Sequence, residues 1–234
     1  MVWIGQGKGR AAIDRFFAEA LSDYKRARIQ TACCDMSQAY IGVIQAHCPG
    51  ATLVMDRFHI VKALNEAVGE VRKEQWREAA RDARKALKGR RWLLYRHSST
   101  RTRRDLRNLK ALDKHNRRIY RAWRLKEEFE HFWTYQATWV AERFLKQWAK
   151  SALLSRLEPL RKFVHTLRRH QDAVLAFIGT RLNNAIAEGL NRIVKIIKNQ
   201  ASGFRHLDAF SDMIYLTVGD LHLSGQIPAR LRPL

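Results

Sequence analysis

Three carboxylates in this chain have neighbours that favour a role in chemistry. Asp35 directly follows the apolar run at residues 29–34 (IQTACC), and Asp56 directly follows the run at 51–55 (ATLVM). Glu188 is a lone acid in a long stretch of a chain whose formal net charge is +22. Carboxylate oxygens are the hard ligands that Mg²⁺ prefers, and two-metal phosphoryl transfer needs several of them within a few ångströms. The sequence therefore raises the hypothesis of a metal site, provided that folding brings these acids together.

The residues around Glu188 form a polar stripe at helical spacing, made up of Asn184, Glu188, Asn191 and Lys195. Amides and a lysine beside a carboxylate suit the edge of a metal and phosphate site, because lysine supplies a point charge for a phosphate. A second, apolar stripe consists of Leu182, Ile186, Leu190, Ile193 and Ile197. An ordinary solvated helix face would show the same spacing, and the sequence alone leaves both interpretations open.

A zinc site is the alternative that the cysteines raise. The possible ligands are Cys33, Cys34, Cys48 and His59. Adjacent cysteines lie on opposite faces of a strand, and the chain has no C-x2-C pair, so the pattern disfavours zinc. His59, three residues after Asp56, is more consistent with a packed or hydrogen-bonded histidine. An odd number of cysteines in a chain of 234 residues also disfavours a secreted disulfide framework and favours a reduced, cytoplasmic protein.

The elements that must position these acids are predicted from hydrophobic periodicity. The first 60 residues are predicted to form strands at 2–4, 29–34 and 51–55 and helices at 11–21 and 38–47. This β-α-β-α-β order predicts an α/β fold with a parallel sheet. Asp35 and Asp56 then lie at the carboxyl ends of strands, where ligands gather in open sheets. Later residues are predicted to be helical, including 61–88, 179–198 and 207–219.

Charge is concentrated in one part of the chain. Residues 72–126 hold 21 Lys or Arg and only 5 Asp or Glu. Apolar residues make up 46% of the chain, which excludes a disordered protein. Solubility needs only a few net charges, so this excess predicts a polyanionic partner, with nucleic acid favoured over a ribosome or a membrane surface. No window approaches the roughly 18 apolar residues of a membrane span.

Three segments carry a resemblance to a known family: CCDMSQAY, VMDRFHIVKALN and NNAIAEGLNRIVKIIKNQASGFR. They resemble bacterial insertion-sequence transposases of the ISL-three family, along nearly the whole chain. The last segment is the most specific, with the order Asn-x3-Glu-Gly-x-Asn-x3-Lys followed by Gly-Phe. The resemblance implies an RNase H-like core with a DDE catalytic triad, interrupted by a helical insertion before the final Glu.

The resemblance also implies roles for individual residues. Asp35 would be the second catalytic acid and Glu188 the third, both as ligands of Mg²⁺ (or Mn²⁺), with two ions in the intact enzyme. Asp56, His59 and Asn184 would support the site, with Asp56 as the reserve candidate for the second acid.

DNA is the implied partner, both as transposon terminal inverted repeats and as target. The candidate contact residues are Asn191, Lys195, Lys198, Arg90, Arg91, Arg103 and Arg104. A homo-oligomer is implied by analogy alone.

The expected domains are 1–65, the first part of the core; 66–178, the basic all-helical insertion; 179–220, the core helices carrying the Glu; and 221–234, a tail.

The chain departs from the family pattern in one respect. Relatives carry the first catalytic Asp on the opening strand of the sheet, and Asp14 lies within a helix pattern instead. The family's N-terminal zinc-binding and helix-turn-helix parts are also missing, so we expect a C-terminal portion that does not cut DNA alone.

The rival hypothesis is a non-catalytic, basic nucleic-acid-binding protein. It predicts that Glu188 is exposed and far from Asp35. The transposase hypothesis requires the two carboxylates to approach within about 8 Å.

Overall fold

The structure is a computed structural model that describes residues 3–5, 7, 9–79, 91–96, 98–201, 203–204 and 206–219. The elements in chain order are α1 (Arg10–Ala20), α2 (Asp23–Ala27), β1 (Thr31–Cys34), α3 (Gln38–His47), β2 (Thr52–Met55), α4 (Arg57–Glu78), α5 (Arg91–Tyr95), a 3-10 turn (Ser98–Thr100), α6 (Arg103–His115), α7 (Arg117–Glu130), a 3-10 turn (His131–Thr134), α8 (Thr138–Leu154), α9 (Glu158–Arg169), α10 (Gln171–Thr180), α11 (Ala185–Gln200) and α12 (Leu207–Val218). The chain is thus a mostly helical α/β protein with a small parallel sheet.

The chain divides into two compact units, and each is considered by itself. Unit 1 comprises residues 1–30, 38–51 and 184–234, and unit 2 comprises residues 31–37 and 52–183. Both strands belong to unit 2, whereas α3, which follows β1 in the chain, belongs to unit 1.

The sheet of unit 2 has two parallel strands in the described part of the chain, β1 and β2. Thr31 pairs with Thr52, and Cys34 pairs with Met55. Val54 and Met55 are fully buried, and α10 packs against β2. The strands predicted from these short apolar runs are therefore confirmed, with slightly narrower bounds.

The predicted opening strand at 2–4 is wrong for the residues that the structure describes there. Trp3 and Ile4 are not in a strand. The Trp3 indole N–H donates a 2.9 Å hydrogen bond to Glu19, and its ring lies 5.8 Å from that of Phe16. The apolar run thus covers α1 instead of pairing in a sheet, and the β-α-β-α-β order becomes α-α-β-α-β.

Unit 1 has a small apolar core. Phe17 of α1 and Val43 of α3 are buried together with Cys48, just past the end of α3. The ring of His47 stacks on Phe17 at 4.7 Å. Helices α11 and α12 of the same unit pack against each other and bury few side chains, among them Ile197 and Ile214.

Unit 2 is built around aromatic side chains contributed by helices. Phe129 of α7 lies 4.7 Å from the ring of Trp148 on α8 and 5.9 Å from that of Phe163 on α9. The Trp148 indole N–H donates to the carbonyl of Leu125 at 2.8 Å, so the buried polar atom is satisfied. Helix α4 packs against α7 and α9, which places the helix that follows Asp56 on this core.

The observed helix ends differ from the predicted ones where tertiary contacts determine where a helix stops. The helix predicted at 179–198 is divided, because Arg181 adopts a left-handed conformation (φ 56°) between α10 and α11. Its guanidinium donates to the carbonyl oxygens of Trp133 and Tyr135, and these bonds offset the backbone strain. The helix predicted at 61–88 is described only as far as Glu78, and the predicted tail at 221–234 lies outside the described residues.

Candidate active site

Asp35 lies directly beyond β1, at the carboxyl end of the sheet of unit 2. Its Oδ1 accepts a 2.9 Å hydrogen bond from the backbone N–H of Ser37, which turns the chain away from the strand. The side chain is only half-buried, and no other hydrogen bond to its carboxylate occurs among the described residues. One carboxylate oxygen is therefore left to bind a ligand.

Asp56 occupies the equivalent place beyond β2. Its backbone N–H donates to the carbonyl of Cys34 at 3.0 Å, so the pairing of the strands continues one residue past the sheet. Because Cys34 is in register with Met55, Asp35 and Asp56 occupy neighbouring positions at one edge, about 5 Å apart at Cα by strand spacing. Folding thus brings the two predicted strand-end acids together.

Asp56 also caps the helix that carries His59. Its Oδ1 accepts a 3.2 Å bond from the backbone N–H of Phe58 at the start of α4. Oδ2 is buried without a hydrogen-bond partner in the described chain, and it lies 3.9 Å from Nε2 of the half-buried His59. A buried carboxylate oxygen without a donor is costly, so this oxygen and the imidazole form a pair of ligand atoms that can accept a cation or a proton.

The cysteines beside these acids are neutral thiols. Burial, with a smaller contribution from the Asp56 charge, raises the pKa of Cys33 to about 11. Burial, followed by Asp35 and Cys33, raises the pKa of Cys34 to about 12. Zinc binds thiolates, and Cys48 is buried in the apolar core of unit 1, so the structure gives no support to a cysteine zinc site.

Glu188 lies in the first turn of α11 in unit 1. Its backbone N–H donates to the carbonyl of Asn184 at 2.9 Å, where the helix begins. The positive end of the helix dipole stabilises a carboxylate at this position. Glu188 has no ion-pair partner in the described part of this strongly basic chain, although Arg192 lies four residues further along. An unpaired carboxylate at such a position remains free to bind a ligand.

The predicted residues within α11 share the exposure of Glu188, but Asn184, at its N-cap, does not. Asn191, Lys195 and Lys198 are exposed and Asn184 is half-buried. Most of the predicted apolar stripe is also accessible, since Ile186 is 81% exposed and only Ile197 is buried. Exposure of Glu188 agrees with the binding-protein hypothesis, but a metal ligand must also be accessible. The separation of Glu188 from Asp35, which belongs to the other unit, stays a prediction.

The predicted DNA contacts of the helical insertion are only partly described. Arg103 and Arg104 are exposed in the first turn of α6, and Arg91 begins α5. Arg90 lies outside the described residues. A cleft of about 530 Å³ elsewhere in unit 2 is lined by Arg117, Arg121 and Arg124 of α7. These arginines follow one another at helical spacing, which could have identified them in the sequence.

A hydrogen-bonded group around His47 in unit 1 was not predicted from the sequence. Nε2 of His47 lies 3.0 Å from Oδ1 of Asp14, and its Nδ1 lies 3.1 Å from the Arg26 guanidinium. Arginine can only donate, so Nδ1 accepts and Nε2–H donates to Asp14. The acid sits on α1, as its helical pattern predicted. No sequence signal linked these residues, because their pairing depends on the packing of α1 against α3.

Comparison with known proteins shows which family this chain belongs to. A protein-family model described as "Transposase", that of the ISL3 group of DDE transposases, matches residues 1–214. The chain belongs to this family. The ISL-three resemblance seen in the sequence is therefore confirmed.

Curated transposases of two insertion sequences are similar to most of this chain. The transposase for insertion sequence element IS1001 of Bordetella parapertussis is 33% identical over 213 residues, which is 90% of this chain and 52% of the relative. The transposase for IS1557 of Mycobacterium tuberculosis is 25% identical over 241 residues, which is 93% of this chain and 54% of the relative. The chain spans about half the length of these curated relatives.

Two further findings concern this ISL-three family chain. No solved structure matches it. No helix among the residues that the structure describes has the length and apolar character needed to cross a membrane.

Proposed function

We propose that this chain carries Asp35 and Glu188 as two acids of a DDE transposase site in an RNase H-like core. The observation that carries the proposal is the family match over residues 1–214, because both acids lie within the matched residues. Asp35 beyond a parallel strand and the unpaired Glu188 on α11 support it, because both carboxylates can accept a ligand. The proposal requires their carboxylates to meet within about 8 Å in the active assembly.

The donor set of the candidate site fits a hard divalent cation. Asp35 and Glu188 supply carboxylate oxygens, which are the ligands that Mg²⁺ and Mn²⁺ take. The buried, unpartnered Oδ2 of Asp56 provides a further oxygen at the same sheet edge as Asp35. We therefore expect Asp35 and Glu188 to hold Mg²⁺ or Mn²⁺, with two ions in the intact enzyme.

When bound, such ions activate water or a 3′-hydroxyl and stabilise the leaving oxygen during in-line displacement at phosphorus. The residues of this chain orient and support that chemistry. The Ser37 N–H fixes one oxygen of Asp35, and Asp56 holds the start of α4 and thereby the position of His59. Lys195, two turns after Glu188 on α11, would neutralise a DNA phosphate. Asn184 would support the site from the N-cap of α11, where its backbone carbonyl accepts from the Glu188 N–H.

The reaction proposed is the cutting and joining of DNA that mobilises an insertion sequence. Its partners would be the terminal inverted repeats of the element and target DNA, held by the basic helical insertion at 66–178 in a homo-oligomer. Arg103 and Arg104 are exposed and able to contribute, as are Asn191 and Lys198 on α11.

We further propose that this chain alone does not cut DNA. The described acids that precede Asp35 in the sequence lie in helices, as with Asp14 on α1 and Asp23 on α2, so neither supplies a strand-borne first acid. The test is a nuclease assay on duplex DNA with Mg²⁺ or Mn²⁺. We expect no cleavage. Cleavage that disappears in Glu188→Gln would contradict the inactivity and would establish the acid's role in this chain.

A second candidate is a non-catalytic protein that binds nucleic acid through its basic helices. The exposure of Glu188 favours it. In that case Asp35→Asn and Glu188→Gln would change neither divalent-metal binding nor DNA binding. The transposase proposal predicts a loss of metal binding in both variants.

A further inference from the structure

Helix α9 (Glu158–Arg169) has two chemically distinct faces. Its apolar face is buried against α4 and α8 and consists of Leu160, Phe163, Val164 and Leu167. The opposite face is exposed and consists of Arg161, Lys162, His165, Arg168 and Arg169, which we call the α9 basic face. Four buried anchors in one short helix hold this face rigidly on the core of unit 2.

The charges of the α9 basic face are largely unpaired. The single acid of the helix, Glu158, lies 3.5 Å from Arg161. Lys162, Arg168 and Arg169 have no carboxylate partner among the described residues. Like charges on successive turns destabilise a helix, so this arrangement is not explained by the stability of α9.

Some cations on other helices of the same unit are paired with acids. Lys73 contacts Glu70 on α4 at 2.6 Å, and Lys146 contacts Glu142 on α8 at 2.7 Å. The helix dipole favours Arg168 and Arg169 in the last turn of α9. It does not favour Lys162, in the first half of the helix, so the excess of positive charge requires another explanation.

We propose that the α9 basic face binds the phosphate backbone of duplex DNA. The choice of DNA over RNA rests on the proposed transposase function. Residues 161 and 168 lie about 10 Å apart along the helix at 1.5 Å per residue. This length matches about three steps of a DNA strand at 3.4 Å each, so cations on successive turns can reach successive phosphates.

The contact is with the backbone and not with a membrane. A membrane-surface helix inserts its apolar face among the lipids. The apolar face of α9 is instead packed in the core, where Leu160 and Val164 are fully buried. The exposed side carries no large apolar residue that could insert. Backbone contacts position a protein on DNA without reading sequence, so the α9 basic face should bind all duplexes alike.

The test compares two triple variants of the full chain. The first, Lys162→Gln/Arg168→Gln/Arg169→Gln, removes unpaired cations of the α9 basic face. The control, Arg15→Gln/Lys73→Gln/Lys146→Gln, removes three cations that already contact acids. Both variants lose the same formal charge, so their difference reports position and not net charge.

Affinity for a duplex of about 30 base pairs is measured by fluorescence anisotropy across a salt series in EDTA. Each lost phosphate contact lowers the slope of log K against log salt by about 0.9. We expect the α9 variant to lose affinity at least about tenfold at 0.1 M salt and to lower the slope by about 2 to 3. We expect the control to change affinity by less than about threefold.

A charge-retaining variant, Arg168→Lys/Arg169→Lys, should keep the wild-type slope, which distinguishes lost charge from misfolding. The proposal fails if the α9 variant binds like the control. It also fails if the wild type prefers duplex RNA to duplex DNA. It fails equally if the α9 variant loses binding only to phosphatidylglycerol vesicles and not to DNA. Because EDTA removes divalent ions, this binding assay does not depend on the metal site of the catalytic proposal, which is tested separately by Mn²⁺ binding. Failure of the catalytic proposal is therefore distinguishable from failure of this one.

Discussion

The backbone N–H of Asp56 donates a 3.0 Å hydrogen bond to the carbonyl of Cys34, the residue that immediately precedes Asp35. This bond extends the parallel pairing beyond the last residues of β1 and β2. It places two acids at one edge of the sheet, where the strands end and α4 begins. Under the proposed function, this edge of the sheet is where Asp35 would act as a catalytic acid.

The capping role of Asp56 gives the first prediction. Asp56→Ala removes the acceptor for the Phe58 N–H and should lower the free energy of unfolding by about 1 kcal/mol, measured in urea. Asp56→Asn keeps an oxygen at the cap and should cost less than half as much. Thr102→Ala, which removes the cap of α6, is the matched control. Equal losses in the two Asp56 variants would show that the carboxylate charge matters more than the cap.

A charged cluster in unit 2 predicts that the stability of the fold decreases in acid. Burial raises the pKa of Glu127, but the hydrogen bonds and charges of Arg101 and Lys126 outweigh it and hold the pKa below its ordinary 4.5. A lowered folded pKa contributes stability above the unfolded value, and this stability is lost as the pH falls through the folded pKa.

Urea unfolding at pH 7 and at pH 3 should therefore show a larger acid-induced loss in the wild type than in Glu127→Gln. Glu158 is exposed and its pair with Arg161 is solvated, so Glu158→Gln should show the same acid-induced loss as the wild type. Identical acid dependence in wild type and Glu127→Gln would contradict the prediction.

The strand cysteines should react slowly. Their thiols are held protonated at pH 8, because burial and the nearby acids raise the pKa of Cys33 to about 11 and that of Cys34 to about 12. Alkylation by iodoacetamide, followed by mass spectrometry, should be at least about tenfold slower in the native protein than in urea. Native rates equal to those in urea would show accessible thiols with an ordinary pKa and would contradict the prediction.

The sequence predicted the acid-bearing strands well because their signals are local. Short apolar runs followed by Asp35 and Asp56 are buried strands with that order in the structure. Trp3 shows the limit of this reasoning. Its apolar run is indistinguishable from a strand until the indole meets Glu19 on α1, a contact that no local pattern encodes.

The helix of Glu188 shows a different limit. The predicted polar stripe is helical at Glu188, Asn191 and Lys195, but Asn184 lies at the N-cap, outside the helix. The preceding helix ends at Arg181, which adopts a left-handed conformation. Ile186, which belongs to the predicted apolar stripe, is 81% exposed. The α9 basic face lies outside the strongly basic segment 72–126, and its charges converge only when the residues are arranged around a helix.

The central claim is that Asp35 and Glu188 share one metal site, and a double-mutant cycle of Mn²⁺ binding tests it most directly. Mn²⁺ affinity would be measured by electron paramagnetic resonance for the wild type, Asp35→Asn, Glu188→Gln and the double variant. We predict that each single substitution lowers affinity about tenfold or more, and that the double variant loses far less than the product of the two, because either change dismantles the same site. Independent, multiplicative losses, or a Glu188→Gln variant that binds Mn²⁺ like the wild type, would contradict the account.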